Sequence, residues 1–288
     1  MSDNRRGAIL MNVAMLAFTL NDTCMKLVTT TLPLFQAITL RGVLTTAALL
    51  ILARWQGVAL WPPVARDRRI VALRSGAEVL ATVTFLVALT QMPLANLSAL
   101  MQSLPLAVTL AAVVFLRDPI GWRRMVAIMI GFAGVLLIIK PGAEGFDRWS
   151  LLGLASVLCV VVRDLSTRAI GATVSSTTVA VWAGVAVTLL GLVGSIWQGW
   201  QPIDGAEAGL ILLAAANLIV GYLTVVMTMR VGDVGFVAPF RYMALLWAIV
   251  LGFAVFGAWP DLLTLIGALI VVATGIFTFL RGRAAARP

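Results

Sequence analysis

The sequence contains no histidine, and only 11% of its residues are charged. The absence of histidine excludes histidine-based catalysis, histidine metal ligands and a histidine pH switch. The two cysteines, Cys24 and Cys159, fall in apolar segments, so we expect neither a disulfide nor a thiolate metal site. No D-D-x-x-D, H-E-x-x-H or P-loop pattern occurs. We therefore expect no enzyme activity, no metal, no cofactor and no ATP drive.

What the chain has in excess is apolar residues, which make up 61% of its 288 positions and give a mean hydropathy of +1.04. Soluble domains are about 45–50% apolar and about 25% charged. A single soluble core cannot bury this excess, so the composition predicts an all-α integral membrane protein. Apolar runs of roughly 20 residues predict ten spans. They are residues 7–28, 34–53, 70–90, 94–116, 121–139, 149–169, 176–197, 206–229, 234–256 and 262–280.

The basic residues predict the orientation of the chain. With the N-terminus in the cytoplasm, fifteen Lys and Arg residues fall on the inner side and three on the outer side. Because cytoplasmic loops are enriched in Lys and Arg, we expect an inner-membrane protein with both termini in the cytoplasm. Topology thus accounts for the net charge of +9, and we expect no nucleic-acid partner. The inner residues are Arg5, Arg6, Arg54, Arg66, Arg68, Arg69, Arg74, Arg117, Arg123, Arg124, Arg168, Arg230, Arg281, Arg283 and Arg287; the outer ones are Lys26, Lys140 and Arg148.

The two halves of the chain resemble each other. Asp22 and Lys26 in span 1 stand 142 residues before Asp164 and Arg168 in span 6. Further equivalences are R-G-V at 41–43 with A-G-V at 183–185, Pro119 and Gly134 with Pro260 and Gly275 at an offset of 141, and Glu78 with Asn217 at an offset of about 139. These matches predict two repeats, residues 1–140 and residues 141–288.

The repeats are expected to have opposite orientations, because each holds five spans and an odd number reverses the direction of entry. The loops agree with this: residues 117–124 carry three arginines, whereas the counterpart between spans 9 and 10 carries no base and one acid, Asp261. Two inverted five-helix repeats are typical of secondary transporters, which place the substrate site where the repeats meet.

Several motifs resemble the drug/metabolite transporter superfamily, in its EamA-type ten-span branch. They are D-x-x-x-K at 22–26, L-R-G at 40–42, A-L-T-Q-M-P-L-A-N at 88–96, Pro105, and the glycine-containing span at 121–139. The resemblance implies export of small metabolites, commonly amino acids, through a central cavity, with spans 5 and 10 at the periphery. The turn after span 4 departs from the family pattern, since it holds Asp118 as its one acid.

Charged groups inside spans usually face a cavity or a partner. Glu78 is expected to line the cavity as a proton carrier or to pair with Arg74. Arg241 is expected to hold a substrate carboxylate or to pair with Asp233 or Glu78, and Arg41 has the same two options. The remaining candidates for the cavity wall are Tyr242, Tyr222, Asn217, Gln102 and Trp182.

A second set of charged residues is expected to act as structural or gating ion pairs. Asp22 precedes Lys26 by four residues, and Asp164 precedes Arg168 by the same spacing. An acid four residues before a base is the favoured order for a pair on one helix. Arg163, next to Asp164, completes this set.

These observations favour a secondary transporter that exports amino acids, including aromatic and hydrophobic ones, and related small metabolites by alternating access. The same fold carrying a vitamin or a nucleotide-type metabolite is the alternative, and a channel or a structural membrane protein is the alternative from another class. The expected partners are a small-molecule substrate and the lipid bilayer, with a monomer as the working expectation.

Overall fold

The computed structural model describes residues 3–117, 120–140, 148–231 and 234–286. Within these ranges the regular structure is helical, and ten helical segments are long and apolar enough to cross a membrane. The all-α membrane fold predicted from composition is therefore confirmed. Ten crossings put both chain ends on one face, which we term the terminal face; the opposite face is the distal face.

Eight of the ten spans are continuous helices. Their bounds are Asp3–Val28 (span 1), Leu34–Trp55 (span 2), Ala65–Gln91 (span 3), Trp122–Ile139 (span 5), Trp149–Arg168 (span 6), Ser176–Gln198 (span 7), Gly205–Val231 (span 8) and Leu262–Ala286 (span 10). Most ends agree with the apolar runs within a few residues. Span 3 starts earlier than predicted, because its first turns carry the charged residues 66–69 beyond the apolar run.

Spans 4 and 9 are interrupted near a proline. Span 4 consists of Leu94–Met101 and Leu104–Leu116, and span 9 consists of Val234–Val237, a 3-10 turn at Ala238–Tyr242, and Met243–Phe256. Pro105 and Pro239 lack the backbone N–H that a regular helix needs, so the hydrogen-bond ladder breaks beside each of them. Broken helices of this kind occur where backbone lines a cavity rather than lipid.

Spans 2 and 7 cross at an axis that relates the two halves of the chain. The hydroxyl oxygens of Thr46 and Thr188 lie 3.2 Å apart, and these residues are 142 positions apart in sequence. Gly42 packs against Thr188, and Gly184 packs against Thr46, so the two contacts are equivalent under the offset of 142 residues. The crossing is therefore two-fold symmetric.

The same axis relates the ends of these spans. The side-chain carbonyl of Gln198 accepts a hydrogen bond from the backbone N–H of Phe35 at 3.0 Å. Its counterpart, Gln56, accepts one from the hydroxyl of Thr177, the counterpart of Phe35, at 2.8 Å. Because spans 2 and 7 run antiparallel, the axis lies in the plane of the membrane. Two inverted five-helix repeats are thus confirmed.

The remaining spans follow the same symmetry. Span 1 of the first repeat packs on span 8, and span 6, its counterpart, packs on span 3; span 5 packs on span 10. The site is consequently built where helices of different repeats touch. The boundary at residues 140 and 141 stays a prediction, because residues 141–147 lie outside the described ranges.

Candidate functional site

Four charged side chains meet between spans 3 and 6, which come from different repeats. Glu78, midway along span 3, forms ion pairs with Arg74 at 3.4 Å and with Arg163 at 3.3 Å. Arg163 also holds Asp164 at 2.9 Å. We call Arg74, Glu78, Arg163 and Asp164 the central charged cluster. One of the two options for Glu78, pairing with Arg74, is thus present in the structure.

The central charged cluster is balanced and partly open. Two arginines face two carboxylates, and the exposed fractions of the four side chains lie between 16% and 30%. Charges in the middle of a membrane span are costly unless they face each other or water. Their partial exposure therefore indicates that a water-accessible space reaches the cluster.

Arg241 borders this cluster from span 9, one of the two broken spans. It lies in the 3-10 turn of span 9, is exposed, and is within electrostatic range of Asp164 and Arg163. No carboxylate among the described residues pairs with it. Asp233, one of its predicted partners, lies outside the described residues, and Glu78 pairs with other arginines. Arg241 thus adds a positive charge to a cluster that is already neutral.

A second polar group lies in the distal half, between spans 1 and 2. Arg41 is 7% exposed and donates a hydrogen bond to the side-chain carbonyl of Asn21 at 3.1 Å. The Asn21 amide donates in turn to Asp22 at 2.9 Å. Asn21 therefore separates the acid from the base, while Asp22 and Glu78 both lie within electrostatic range of Arg41.

The predicted ion pair between Asp22 and Lys26 is wrong. The Lys26 ammonium instead donates to the carbonyls of Leu89 and Met92, at 2.5 and 2.8 Å, where span 3 ends. Pro93 has no N–H, so the Leu89 carbonyl lacks its usual helical donor. A cation near a helix C-terminus is also favoured by the helix dipole. This signal was present in the sequence as Pro93, and the spacing rule for single helices missed it.

The predicted pair between Asp164 and Arg168 is wrong as well. Asp164 takes its ion pair from the adjacent Arg163, whose guanidinium bridges it to Glu78. Arg168 is exposed at the end of span 6 and makes no hydrogen bond or ion pair with the part of the chain that the structure describes. An interhelical network thus replaces the pairing within one helix.

The other predicted cavity residues are only partly brought together. The Tyr222 hydroxyl donates to the Ser176 carbonyl at 3.1 Å, and Tyr222 lies within electrostatic range of Arg74, so it borders the cluster. Gln102 is buried at the break of span 4. The Asn217 amide donates to the Leu213 carbonyl of its own helix at 2.8 Å.

Two aromatic candidates make other contacts. The Trp182 indole donates to the Leu60 carbonyl at 2.7 Å and packs edge-on against Trp61, in the loop between spans 2 and 3. The Tyr242 hydroxyl lies against Gly275 of span 10 and has no hydrogen-bond partner among the described residues. Neither side chain takes part in the central charged cluster through these contacts.

Several proteins of known sequence resemble this chain. An S-adenosylmethionine uptake transporter of Rickettsia conorii is 27% identical over 192 residues, which is 66% of this chain and 64% of that protein. A riboflavin transporter of Vibrio cholerae is 28% identical over 180 residues, or 62% of this chain and 60% of that protein. The matched segment thus spans less than two thirds of these relatives' length.

Other similarities cover nearly the whole chain. A pseudopaline exporter of Pseudomonas aeruginosa is 24% identical over 279 residues, or 94% of this chain and 95% of that protein. A protein of known crystal structure shares the fold, with a TM-score of 0.63 and 18% identity over 98% of this chain and 99% of that one.

The sequence model of the EamA-like transporter family matches the chain twice, at residues 5–140 and 147–280. Each match covers five of the ten spans, in agreement with the two-fold axis between spans 2 and 7. The family members and relatives named above are transporters rather than enzymes. With these matches covering most of its length, the chain belongs to the EamA-like transporter family.

Proposed function

We propose that the protein is a secondary transporter of small metabolites that carry a carboxylate, with amino acids as the first class to test, and that it works by alternating access. The terminal face is cytoplasmic in this proposal, because the basic residues concentrate there. Transport then runs from the cytoplasm outward, as for the relative that is named as an exporter.

The charge of Arg241 is the main observation in favour of a substrate with a carboxylate. The central charged cluster is neutral by itself, and Arg241 adds one exposed guanidinium without a carboxylate partner among the described residues. A guanidinium binds a carboxylate through two parallel hydrogen bonds, and such pairs are strong where water is scarce. A substrate carboxylate would thus neutralise the site.

A vitamin or nucleotide-type substrate is the second candidate. Relatives named for riboflavin and for S-adenosylmethionine favour it, although their identities of 27–28% leave room for a change of substrate. Tyr222 at the edge of the cluster offers an aromatic face to a ring-containing substrate. This candidate uses the same site and differs in the group that Arg241 contacts.

The test is uptake into liposomes that contain the purified protein, with labelled amino acids, riboflavin and S-adenosylmethionine measured side by side. We expect saturable amino-acid flux, and a rise in the half-saturation concentration of roughly tenfold to a hundredfold in Arg241→Ala, since hydrogen bonds to charged groups contribute about 1.5–3 kcal/mol. Saturation and counterflow separate a carrier from a channel.

Two control variants locate the effect. Arg241→Lys keeps the charge and loses the bidentate geometry, so we expect an intermediate half-saturation concentration. Asp233→Asn tests whether the Asp233 carboxylate, rather than a substrate, neutralises Arg241. If it does, Asp233→Asn changes the half-saturation concentration as Arg241→Ala does. Flux of riboflavin or S-adenosylmethionine without amino-acid flux would replace the first candidate by the second.

A further inference from the structure

Lys26 makes a three-part contact at the distal end of the first repeat. Its ammonium donates to the carbonyls of Leu89 and Met92 at the end of span 3. It also lies 5.6 Å from the ring centroid of Phe256, at the distal end of span 9, which is a cation–π distance. We call this arrangement the distal latch. It ties span 1 to span 3 and to one helix of the other repeat.

The cation, one of the two carbonyl residues and the ring of the distal latch have counterparts at the terminal face. The offsets that align the repeats match Lys26 with Arg168, Leu89 with Thr228, and Phe256 with Phe115. The match of the two phenylalanines is supported by V-F at 114–115 and at 255–256, each four residues before a proline. The inverted symmetry therefore places a cation, a helix end and an aromatic ring at each face.

The two sets differ in their contacts. Lys26 is fully engaged, whereas Arg168 is exposed and makes no hydrogen bond or ion pair with any described residue. Phe256 is half-buried, whereas Phe115 is 76% exposed. The first repeat is latched in this structure and the second is not.

Buried apolar side chains are also found beside the distal latch. A buried apolar cluster includes side chains in the distal halves of spans 1, 3 and 4 that are at most 3% exposed. Its members include Met25, Val28, Leu86, Leu89, Leu97 and Leu100. These buried side chains lie on the distal side of the central charged cluster, whose own side chains are 16–30% exposed.

We propose that Lys26 and Arg168 are alternating latches of the transport cycle. The distal latch closes the distal face in the state seen here. In the opposite state, the Arg168 guanidinium donates to the Thr228 carbonyl at the end of span 8, beside Phe115, while Lys26 is released. This proposal rests on the proposed transport function, and it adds the residues that hold each face shut.

The test measures distances in the protein without substrate, so it does not depend on knowing the cargo. In a background with Cys24→Ser and Cys159→Ser, paired spin labels on exposed positions report each face. The distal pair replaces Thr30 and Gln91, at the ends of spans 1 and 3, and the terminal pair replaces Ala172 and Met227, at the corresponding ends of spans 6 and 8.

Lys26→Met is expected to raise the population ratio of distally open to distally closed molecules by roughly tenfold to a hundredfold, since it removes two hydrogen bonds from a charged donor. The distal distance lengthens and the terminal distance shortens. Lys26→Arg, which keeps the cation, stays near the wild-type ratio. Phe256→Leu removes only the ring and shifts the ratio in the same direction by less.

Arg168→Met provides the decisive comparison. Added to Lys26→Met, it is expected to return the ratio toward the wild-type value, because both latches are then absent. A purely structural lysine gives no such compensation. Unchanged distances in folded Lys26→Met and Phe256→Leu, or no reversal by Arg168→Met, would overturn the latch proposal. Amino-acid flux together with spin-label distances that do not change in the latch variants would refute the latch and leave the transport function standing. Distances that change in the latch variants, without amino-acid flux, would refute only the proposed substrate class.

Discussion

Residues 21 and 22 of the first repeat and residues 163 and 164 of the second make the same hydrogen bond with different chemistry. The Asn21 amide donates to Asp22 at 2.9 Å, and the Arg163 guanidinium donates to Asp164 at 2.9 Å. The backbone positions are equivalent, so the local geometry is shared. The difference is that the first repeat places a neutral donor there and the second places a charged one.

The arginine of the first repeat comes from a different helix. Arg41 in span 2 reaches Asn21, whereas its counterpart in span 7 is Ala183. The second repeat instead uses Arg163 to reach across to Glu78 in span 3. The two repeats thus share a symmetric arrangement of helices and differ in their charges. Arg163 of the second repeat forms the ion pair that joins the repeats.

The largest expected effect comes from giving the second repeat the donor of the first. Arg163→Asn leaves Asp164 without its ion pair and Glu78 with Arg74 alone. We expect the free energy of unfolding to fall by about 2–3 kcal/mol, less than for a fully buried pair because Arg163 is 25% exposed. Thermal unfolding in detergent, followed by tryptophan fluorescence, measures it.

Arg163→Lys serves as the control, since it keeps the charge and loses the fork that reaches two carboxylates at once. We expect it to recover part of the loss. A change below about 1 kcal/mol in Arg163→Asn would show that water screens the cluster, and the contrast between the repeats would then concern charge balance rather than stability.

A smaller effect is expected at the crossing of spans 2 and 7. A methyl group at Gly42 would lie 2.5 Å from the Thr188 hydroxyl and 3.2 Å from its Cα, whereas at Gly184 its closest neighbour is the Thr46 hydroxyl at 2.8 Å. Backbone cannot rotate away as a hydroxyl can. We therefore expect Gly42→Ala to cost about 1–3 kcal/mol and Gly184→Ala to cost less.

Gly76→Ala in span 3 is the matched control, because nothing lies within 4 Å of the added methyl group. It is expected to be neutral or stabilising by up to about 1 kcal/mol, as for alanine in place of glycine inside a helix. Equal costs at Gly42 and Gly184 in the same unfolding assay would mean that the crossing is as symmetric in packing as it is in position.

The smallest effect is expected for the ion pair between Lys140 and Asp261 at the distal face, which has no equivalent at the other face because Ile120 is the counterpart of Asp261. Partial burial raises the pKa of Asp261, but hydrogen bonds from Lys140 and Thr264 outweigh it and lower the pKa to about 2. The pair contributes stability above the ordinary value of 3.8, and this contribution is lost as the pH falls through about 2.

Lys140→Met tests this pair. The Asp261 side chain is 45% exposed, so we expect a loss below about 1 kcal/mol near neutral pH that shrinks with added salt. The difference between variant and wild type should disappear on acidification. A difference that persists at high salt and low pH would assign the effect of Lys140 to packing rather than charge.

Spans and repeats were predicted from the sequence because they follow from local patterns along the chain. Hydropathy locates a span and an odd number of spans inverts a repeat, whereas the breaks at Pro105 and Pro239 were not predicted although both prolines stand in the sequence. The family resemblance was also confirmed, since the family model matches both halves of the chain.

The partners of the charged residues were not accessible in this way. Arg163 reaches Glu78 across 85 positions of sequence, and Lys26 reaches carbonyls 63 and 66 positions away. Such pairs depend on how helices of different sequence position are rotated and aligned. The spacing rule for a single helix favoured a pair of Lys26 with Asp22. Lys26 instead bonds to the Leu89 carbonyl, which is free because Pro93 has no N–H.

The hydrogen bond between Thr46 and Thr188 lies on the axis that both repeats share. If the two halves exchange their conformations during transport, the two-fold operation exchanges Thr46 with Thr188 and so maps this contact onto itself. The threonine contact is then the same in the two end states, whereas contacts far from the axis, at the two faces, differ. A probe attached at this crossing would therefore be silent during transport, and it could serve as the fixed reference against which motion at both faces is measured.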